Sequence, residues 1–275
     1  MLIEVKNLTH IYAEGLDFSQ VALDDISFNI NQGEFVALIG HTGSGKSTLV
    51  QHLNGLLKAS SGTVLADGLD LSKKGKDIMA LRHKVGMVFQ YPEYQLFEES
   101  VLKDVAFGPK NAGNEAEKAL AMAKDALRLV GINPDEKGDL SPFALSGGEK
   151  RRVAIAGVIA MDPEVLILDE PTAGLDPEGH DEILAMIKRI KEEKNMSIVF
   201  VTHNMDDVAS LADRVLVMNK GKLLMDGSPK EVFSREEELK EIGLALPKAM
   251  EFGKEIGVDA LTIEELAEKI KDKWQ

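Results

Sequence analysis

Directly after the apolar stretch Phe35–Ile39 come nine residues, Gly40-His41-Thr42-Gly43-Ser44-Gly45-Lys46-Ser47-Thr48. They match the pattern G-x-x-x-x-G-K-[ST] at the junction of a strand and a helix, where that pattern carries meaning. Glycine removes the side chains that would keep a backbone from wrapping round a polyphosphate. Exposed amides and the start of the following helix favour anions. In such a loop Lys46 is placed to neutralise β- and γ-phosphates, and the Ser47 hydroxyl to ligate Mg²⁺. A ligand-free glycine-rich turn has no need of Lys-Ser in phase with strand and helix. The loop therefore argues nucleotide binding and leaves the reaction open.

Four apolar runs are continuous rather than alternating: Phe35–Ile39, Val165–Leu168, Ile198–Val201 and Val215–Met218. Strands covered on both faces of a parallel sheet read this way. Helix-like stretches separate them, at Lys46–Leu57, Glu115–Val130, Gly147–Met161, Glu178–Glu193 and Met205–Ala212. The alternation predicts an α/β fold with a mainly parallel sheet. Ile3–Leu8 and Asp25–Ile30 instead alternate polar and apolar residues, which predicts a small antiparallel sheet against the main one. The stretch from Pro92 to Met161 carries no strand signal and reads as a helical insertion. Beyond Gly227-Ser228-Pro229 only helical patches follow. There, Thr262 and Glu265 have capping-box spacing, and Ile263, Leu266, Ile270 and Trp274 form an apolar stripe. No repeat, heptad pattern or low-complexity segment is present.

Composition narrows the functional classes. The chain has 275 residues, 32 basic and 46 acidic, for a net charge of −14. So acidic a chain is a poor non-specific partner for nucleic acid or an anionic membrane. It contains no cysteine, which excludes disulfides, thiolate metal sites and cysteine nucleophiles. The longest uncharged apolar run, Val153–Met161, is far below the ~20 residues a membrane-spanning helix needs. Met1–Lys6 lacks a basic segment followed by an apolar core, so no signal peptide is expected. A soluble chain is expected, with any membrane role reached through a partner.

The run Val165–Leu168 ends in Asp169 and Glu170. Open α/β sheets place their ligands at such strand ends. Asp169 suits a Mg²⁺-directed carboxylate. Strand alternation sends Glu170 to the other side, where it could polarise an attacking water. Leu145-Ser146-Gly147-Gly148-Glu149 precedes another helix. Ser146 and Glu149 fit an ordinary capping box, but a hydroxyl and two glycine amides at a helix start also make a second anion site.

In this order, Gly40–Thr48, then Ser146-Gly147-Gly148-Glu149, then Asp169-Glu170, the chain resembles the ATP-binding cassette (ABC) ATPases, a P-loop NTPase family, over residues 1 to about 230. Position 149 is Glu where many members carry Gln. The resemblance implies further roles. Gln90 matches the glutamine that meets Mg²⁺ and the attacking water, and its loop signals to a membrane partner. Asp176 lies in Gly174-Leu175-Asp176, which matches the segment that crosses the dimer interface. His203 matches the histidine that contacts the γ-phosphate, and Tyr12 the aromatic that stacks on adenine. The resemblance also implies that two cassettes sandwich two ATP molecules. Each ATP would lie between the phosphate loop of one subunit and the Ser146–Glu149 segment of the other.

Lys46 and Ser146 are only about 100 residues apart, which leaves no room for the long coiled coil of DNA-repair and chromosome-structure relatives. A single cassette argues against paired-cassette translation factors, and acidity argues against nucleic acid. Tyr91-Pro92-Glu93-Tyr94-Gln95-Leu96-Phe97 and the helical tail resemble the energy-coupling-factor (ECF) transporter ATPases. The details look most like the second ATPase of vitamin-type modules. That resemblance implies a cassette at 1–230 with a helical subdomain at about 92–161, and a C-terminal helical region at 231–275. It also implies ATP and Mg²⁺ as cofactors and a peripheral position on the cytoplasmic face of the cell membrane. The partners would be a second ABC ATPase, a transmembrane scaffold and small substrate-binding membrane subunits. A heterodimer is expected, with a homodimer as the alternative; the cargo would be a vitamin or a transition-metal ion. The competing readings are another ABC importer's ATPase, a non-transport ATP switch, and a nucleotide-binding scaffold without turnover.

Overall fold

The computed structural model describes residues 2–71, 73, 81 and 83–273. Its strands form two sheets. The smaller is antiparallel, in the order β2(Gln20–Ile30), β1(Ile3–Tyr12), β4(Ser61–Ala66), β5(Leu69–Asp70). The larger runs β10(Lys222–Gly227), β9(Arg214–Asn219), β3(Phe35–Ile39), β8(Ser197–Val201), β7(Val165–Asp169), β6(Val85–Val88). All neighbours in it are parallel except the edge strand β10.

The continuous apolar runs are explained by burial on both faces. Along β8, Ile198 and Phe200 join one core with the helices, while Val199 and Val201 join another. That second core also holds Ile3, Val5, Leu8 and Ile26 of the antiparallel sheet, and Leu49, Val50 and Leu53 of α1(Lys46–Leu53). The first thirty residues pair as predicted, Ile3 with Ile30 and Val5 with Phe28. Between β6 and β7, among the described residues, lie only helices: the short turn Pro92–Gln95, α2(Val101–Asn111), α3(Ala116–Leu129), α4(Pro134–Lys137), the turn Pro142–Ala144 and α5(Gly147–Ile159). α6(Pro177–Lys194) connects β7 to β8, and α7(Met205–Leu211) connects β8 to β9. The expected helix Lys46–Leu57 is shorter, because the chain leaves the helix at Asn54 and Gly55 turns left-handed at φ 72°.

The chain then continues through α8(Pro229–Ser234), α9(Glu236–Glu241), α10(Lys248–Ile256) and α11(Ile263–Lys273). Ser228 caps α8 through a reciprocal box with Glu231. Val232, Phe233, Leu239, Leu244 and Leu246 pack with Ala37, Ile39, Val215 and Val217 of the main sheet. Asp206, in α7, accepts the backbone N–H of Lys248 at 2.7 Å. It thus caps α10 from a distant part of the chain, where Pro247 supplies no cap. Thr262 accepts the Glu265 N–H, but Glu265 returns its bond to Leu261 rather than to Thr262. The predicted stripe is only partly inward: Leu266 and Ile270 join a small core, Ile263 is exposed, and Trp274 lies outside the described residues.

Phe233 is fully buried between the main sheet and the tail helices. Phe233→Ala is expected to cost about 3–5 kcal/mol, read as a lower urea midpoint. An unfolding free energy within ~0.5 kcal/mol of the parent would show that the tail is not packed on the sheet as described.

Candidate functional site

Parallel pairing brings the carboxyl ends of β3, β6, β7 and β8 to one edge. Leu38 aligns with Val201, Asp169 with Val201, and Val88 with Leu168. The residues that follow those ends therefore meet. A cleft of about 690 Å³ opens there, lined by Tyr12, Thr42, Gly43, Gly45, Lys46, Ser47, Thr48, Gln90, Asp169 and Glu170.

The loop Gly40–Gly45 owes its shape to its glycines. A methyl group on Gly40, at φ 151°, would sit 2.4 Å from the Met218 carbonyl oxygen and 2.6 Å from Ser44 Oγ. One on Gly45, at φ 106°, would sit 2.7 Å from the Ala22 carbonyl oxygen. Ser44 is completely buried and its hydroxyl has no partner, which fits a loop built to meet an oxygen-rich ligand. Lys46 Nζ donates to the Gly40 and His41 carbonyls at 2.6 and 3.1 Å. Burial lowers its pKa from the ordinary lysine value, against the opposing pull of Glu170 and Asp169. The His41 ring lies 3.1 Å from Asn219 Oδ1.

Burial raises the Asp169 carboxyl above its ordinary range; repulsion from Glu170 adds to this and Lys46 opposes it. Asp169 and Glu170 do not part to opposite sides, as simple alternation predicts. Glu170 lies past the strand end in a left-handed conformation, φ 49°, so both carboxylates line one cleft. Gln90 Nε2 donates to Glu170 Oε2 at 2.9 Å. His203 Nδ1 is 3.4 Å from the other Glu170 oxygen, and its side chain is 75% exposed. Tyr12 ends β1, with its hydroxyl 3.2 Å from Thr48 Oγ1. Its ring packs edge-on against His10, which packs against His52.

Two groups expected to act across a dimer interface lie away from this chain's own cleft. Ser146 caps α5, accepting the Glu149 N–H while its own N–H and hydroxyl donate to Glu149 Oε2. Gly147 and Gly148 begin that helix with open space where a side chain would lie. Lys137, aided by the Ser146 backbone, holds the Glu149 carboxyl down at about 2. Asp176 caps α6 through the Gly179 N–H at 3.1 Å.

The structure also adds residues that sequence reasoning missed. Gln20, Val21, Ala22, Lys220 and Gly221 line the cleft. Lys220 and Gly221, both at positive φ, turn β9 into β10, and the Gly221 N–H donates to the Ser44 carbonyl at 2.9 Å. A lysine-glycine pair just past the apolar run Val215–Met218 was the available signal. His180, near the start of α6, lies 3.1 Å from the buried Asp207 of α7. It links the helix after Asp176 to the helix after His203.

The fit of Mg²⁺ can be judged from the donors present. A hydroxyl (Ser47), an amide (Gln90) and a carboxylate (Asp169) share the cleft with the lysine. Mg²⁺ is held in this manner, by few protein oxygens together with substrate phosphates.

A sequence profile described as "ABC transporter" matches residues 23–173. The chain is 57% identical over 248 residues to the energy-coupling factor transporter ATP-binding protein EcfA2 of Clostridium tetani, covering 90% of this chain and 86% of that protein. It is 54% identical to the EcfA2 of Clostridioides difficile, over 98% of this chain and 96% of that one. Among solved structures, cbiO1 from Clostridium perfringens, part of the ABC transporter complex cbiONQ, aligns with a TM-score of 0.77 at 41% identity, covering 92% of this chain and 98% of that one. The dimeric cassette MJ0796 in a post-hydrolysis state, bound to ADP and Pi, aligns with a TM-score of 0.72 at 28% identity, covering 82% and 98%.

The two loop glycines separate steric from conformational need. Gly40→Ala meets backbone oxygen, whereas Gly43→Ala meets nothing and costs about 1–2 kcal/mol of left-handed strain. Gly40→Ala is expected to lower the denaturant midpoint more than Gly43→Ala does. The reverse order would show that the loop has another conformation.

Proposed function

This chain belongs to the family of energy-coupling factor transporter ATP-binding proteins, within the ABC transporters, and from that premise we propose how its residues work. It is the ATP-hydrolysing subunit of an ECF-type importer. The observation that carries this reading is the convergence of Lys46, Ser47, Gln90, Asp169 and Glu170 on one cleft at the carboxyl edge of a parallel sheet.

In this reading the Gly40–Thr48 loop wraps the triphosphate, and the buried Ser44 and the start of α1 supply its inner surface. Lys46, which bonds the carbonyls of its own loop, exchanges them for β- and γ-phosphate oxygens. Tyr12 stacks on the adenine from the rim of the cleft. Ser47, Asp169 and Gln90 are the residues that would hold Mg²⁺, which when bound neutralises charge on the phosphate oxygens. Glu170 accepts a hydrogen bond from a water and orients it in line with the γ-phosphorus. The new P–O bond forms as the bond to the β-bridging oxygen breaks, the water's proton passes to Glu170, and ADP and phosphate leave. Gln90 and His203 flank both oxygens of Glu170 and fix its direction. His203, largely exposed, is free to meet the γ-phosphate.

The site is incomplete in one chain, because Ser146, Gly147, Gly148, Glu149 and Asp176 do not line the cleft. A second cassette would bring the start of its α5 to the γ-phosphate, with the Asp176 segments at the joint. Among the described residues, no helix is long and apolar enough to cross a membrane. The chain works on a transmembrane scaffold, as a peripheral subunit at its cytoplasmic face. The exposed rings of Tyr91, Tyr94 and Phe97, just past Gln90, are a suitable contact for it. We favour a heterodimer with a second ATPase, a cassette at 1–230, a C-terminal helical region at 231–275, and a vitamin or transition-metal ion as cargo bound by small membrane subunits.

Glu170→Gln is expected to lower turnover by ~100-fold or more while ATP binding persists, since the amide cannot accept a proton from water. Unchanged turnover would remove Glu170 from the mechanism. Isolation of the tagged chain from its native membranes in mild detergent is expected to bring down a hydrophobic scaffold and a second cassette ATPase. Recovery of soluble or ribosomal partners alone would overturn the transport role.

A further inference from the structure

Arg151 lies one turn into α5 and is almost completely buried. Four of its five N–H groups are engaged. Nε and Nη2 donate to the two carboxylate oxygens of Glu93 at 3.2 and 2.8 Å. Nη1 donates to the carbonyls of Pro171 and Ala173 at 3.0 and 2.8 Å. Its guanidinium carbon is 5.9 Å from the centre of the Tyr91 ring.

These partners belong to separate parts of the machinery. Glu93 sits in the four-residue turn Pro92–Gln95, directly after Gln90. Pro171 and Ala173 belong to the turn after Glu170, which the Ala173 N–H closes onto the Glu170 carbonyl at 3.1 Å. The Tyr91 ring packs against the same turn, within 3.5 Å of where a Gly174 side chain would begin. Tyr91 itself holds a left-handed conformation at φ 54°, although the residue before a proline favours an extended one. Only a planar guanidinium can grip a carboxylate through two parallel bonds and a pair of carbonyls with its remaining edge.

We propose that Arg151 is a positioning residue that joins the turn after Gln90 to the turn after Glu170, so that a shift of the first resets the catalytic carboxylate. This rests on the role given to Glu170 above. Because Arg151 also rides on the helix that Ser146 begins, one side chain ties the membrane-facing segment, the hydrolytic carboxylate and the segment offered to the second cassette.

The test uses the detergent-solubilised transporter complex, measuring kcat, KM for ATP and substrate transported per ATP. Arg151→Lys keeps the charge but not the fork. It is expected to lower kcat about tenfold, to leave KM within about twofold, and to reduce transport per ATP. Glu93→Gln is expected to do the same, and the double variant to be no worse than either single one, as for two residues acting through one contact. Val153→Ala, a core change on the same helix, controls for general loosening and is expected to leave the kcat-to-KM split and the coupling intact. Unchanged kcat and coupling in both single variants, or additive losses in the double one, would overturn the proposal. Where Arg151→Lys does not assemble, Glu93→Gln alone decides by the same criteria. Loss of turnover in Glu170→Gln with none in these variants defeats this link only; retained turnover in Glu170→Gln defeats both readings.

Discussion

The site depends on register. β3, β6, β7 and β8 run parallel, and their pairing sets Leu38, Val88, Asp169 and Val201 at one edge. Nothing local to the phosphate loop could bring Gln90 within hydrogen-bond reach of Glu170, 80 positions away in the chain. Register in turn depends on burial. Each central strand places different apolar side chains on its two faces, so a slip by one residue would send each set into the core packed for the other and would mismatch every strand-end residue. The two cores to either side, one with the helices and one with the antiparallel sheet, hold the strands against such a slip.

Register also concentrates charge at a cost. Two carboxylates and an ammonium share a cleft in which burial disfavours the ionised forms of both Asp169 and Lys46. Lys46 is partly compensated by carbonyl oxygens of its own loop. Ser44 Oγ is not compensated at all. Groups that are under-satisfied without ligand and satisfied with it make binding free energy available to order the site. This is the usual opposition between stability and function at a site of concentrated charge.

Much of the fold was legible because its signals are local. Continuous apolar runs identified β3, β7, β8 and β9, and the loop motif identified itself. β4 and β5 were missed, since Ser61–Ala66 is short and half exposed and gains its identity only by pairing with β1. Lys222–Gly227 was missed because an edge strand with mixed exposure lacks a continuous run. The direction of Glu170 was misjudged because alternation holds only inside a strand, and this residue lies one step past the end. The buried contacts of Arg151 were invisible for a different reason. A basic residue beside a helix start reads as solvated, and its acidic partner is 58 positions away.

The same distance problem bears on Glu149. Glu149 places a negative charge at the start of α5, where the helix dipole is positive. Lys137 contacts that carboxylate directly, and the Ser146 amide and hydroxyl bond its other oxygen. The pair is only partly exposed, so screening does not remove its effect as it would at an open surface. Lys137 therefore offsets the added charge, and the α5 amides still present a positive end. The Glu149 carboxyl, held at about 2, stays ionised throughout the physiological range. Two residues that only the fold brings together thus set the charge at the start of this helix.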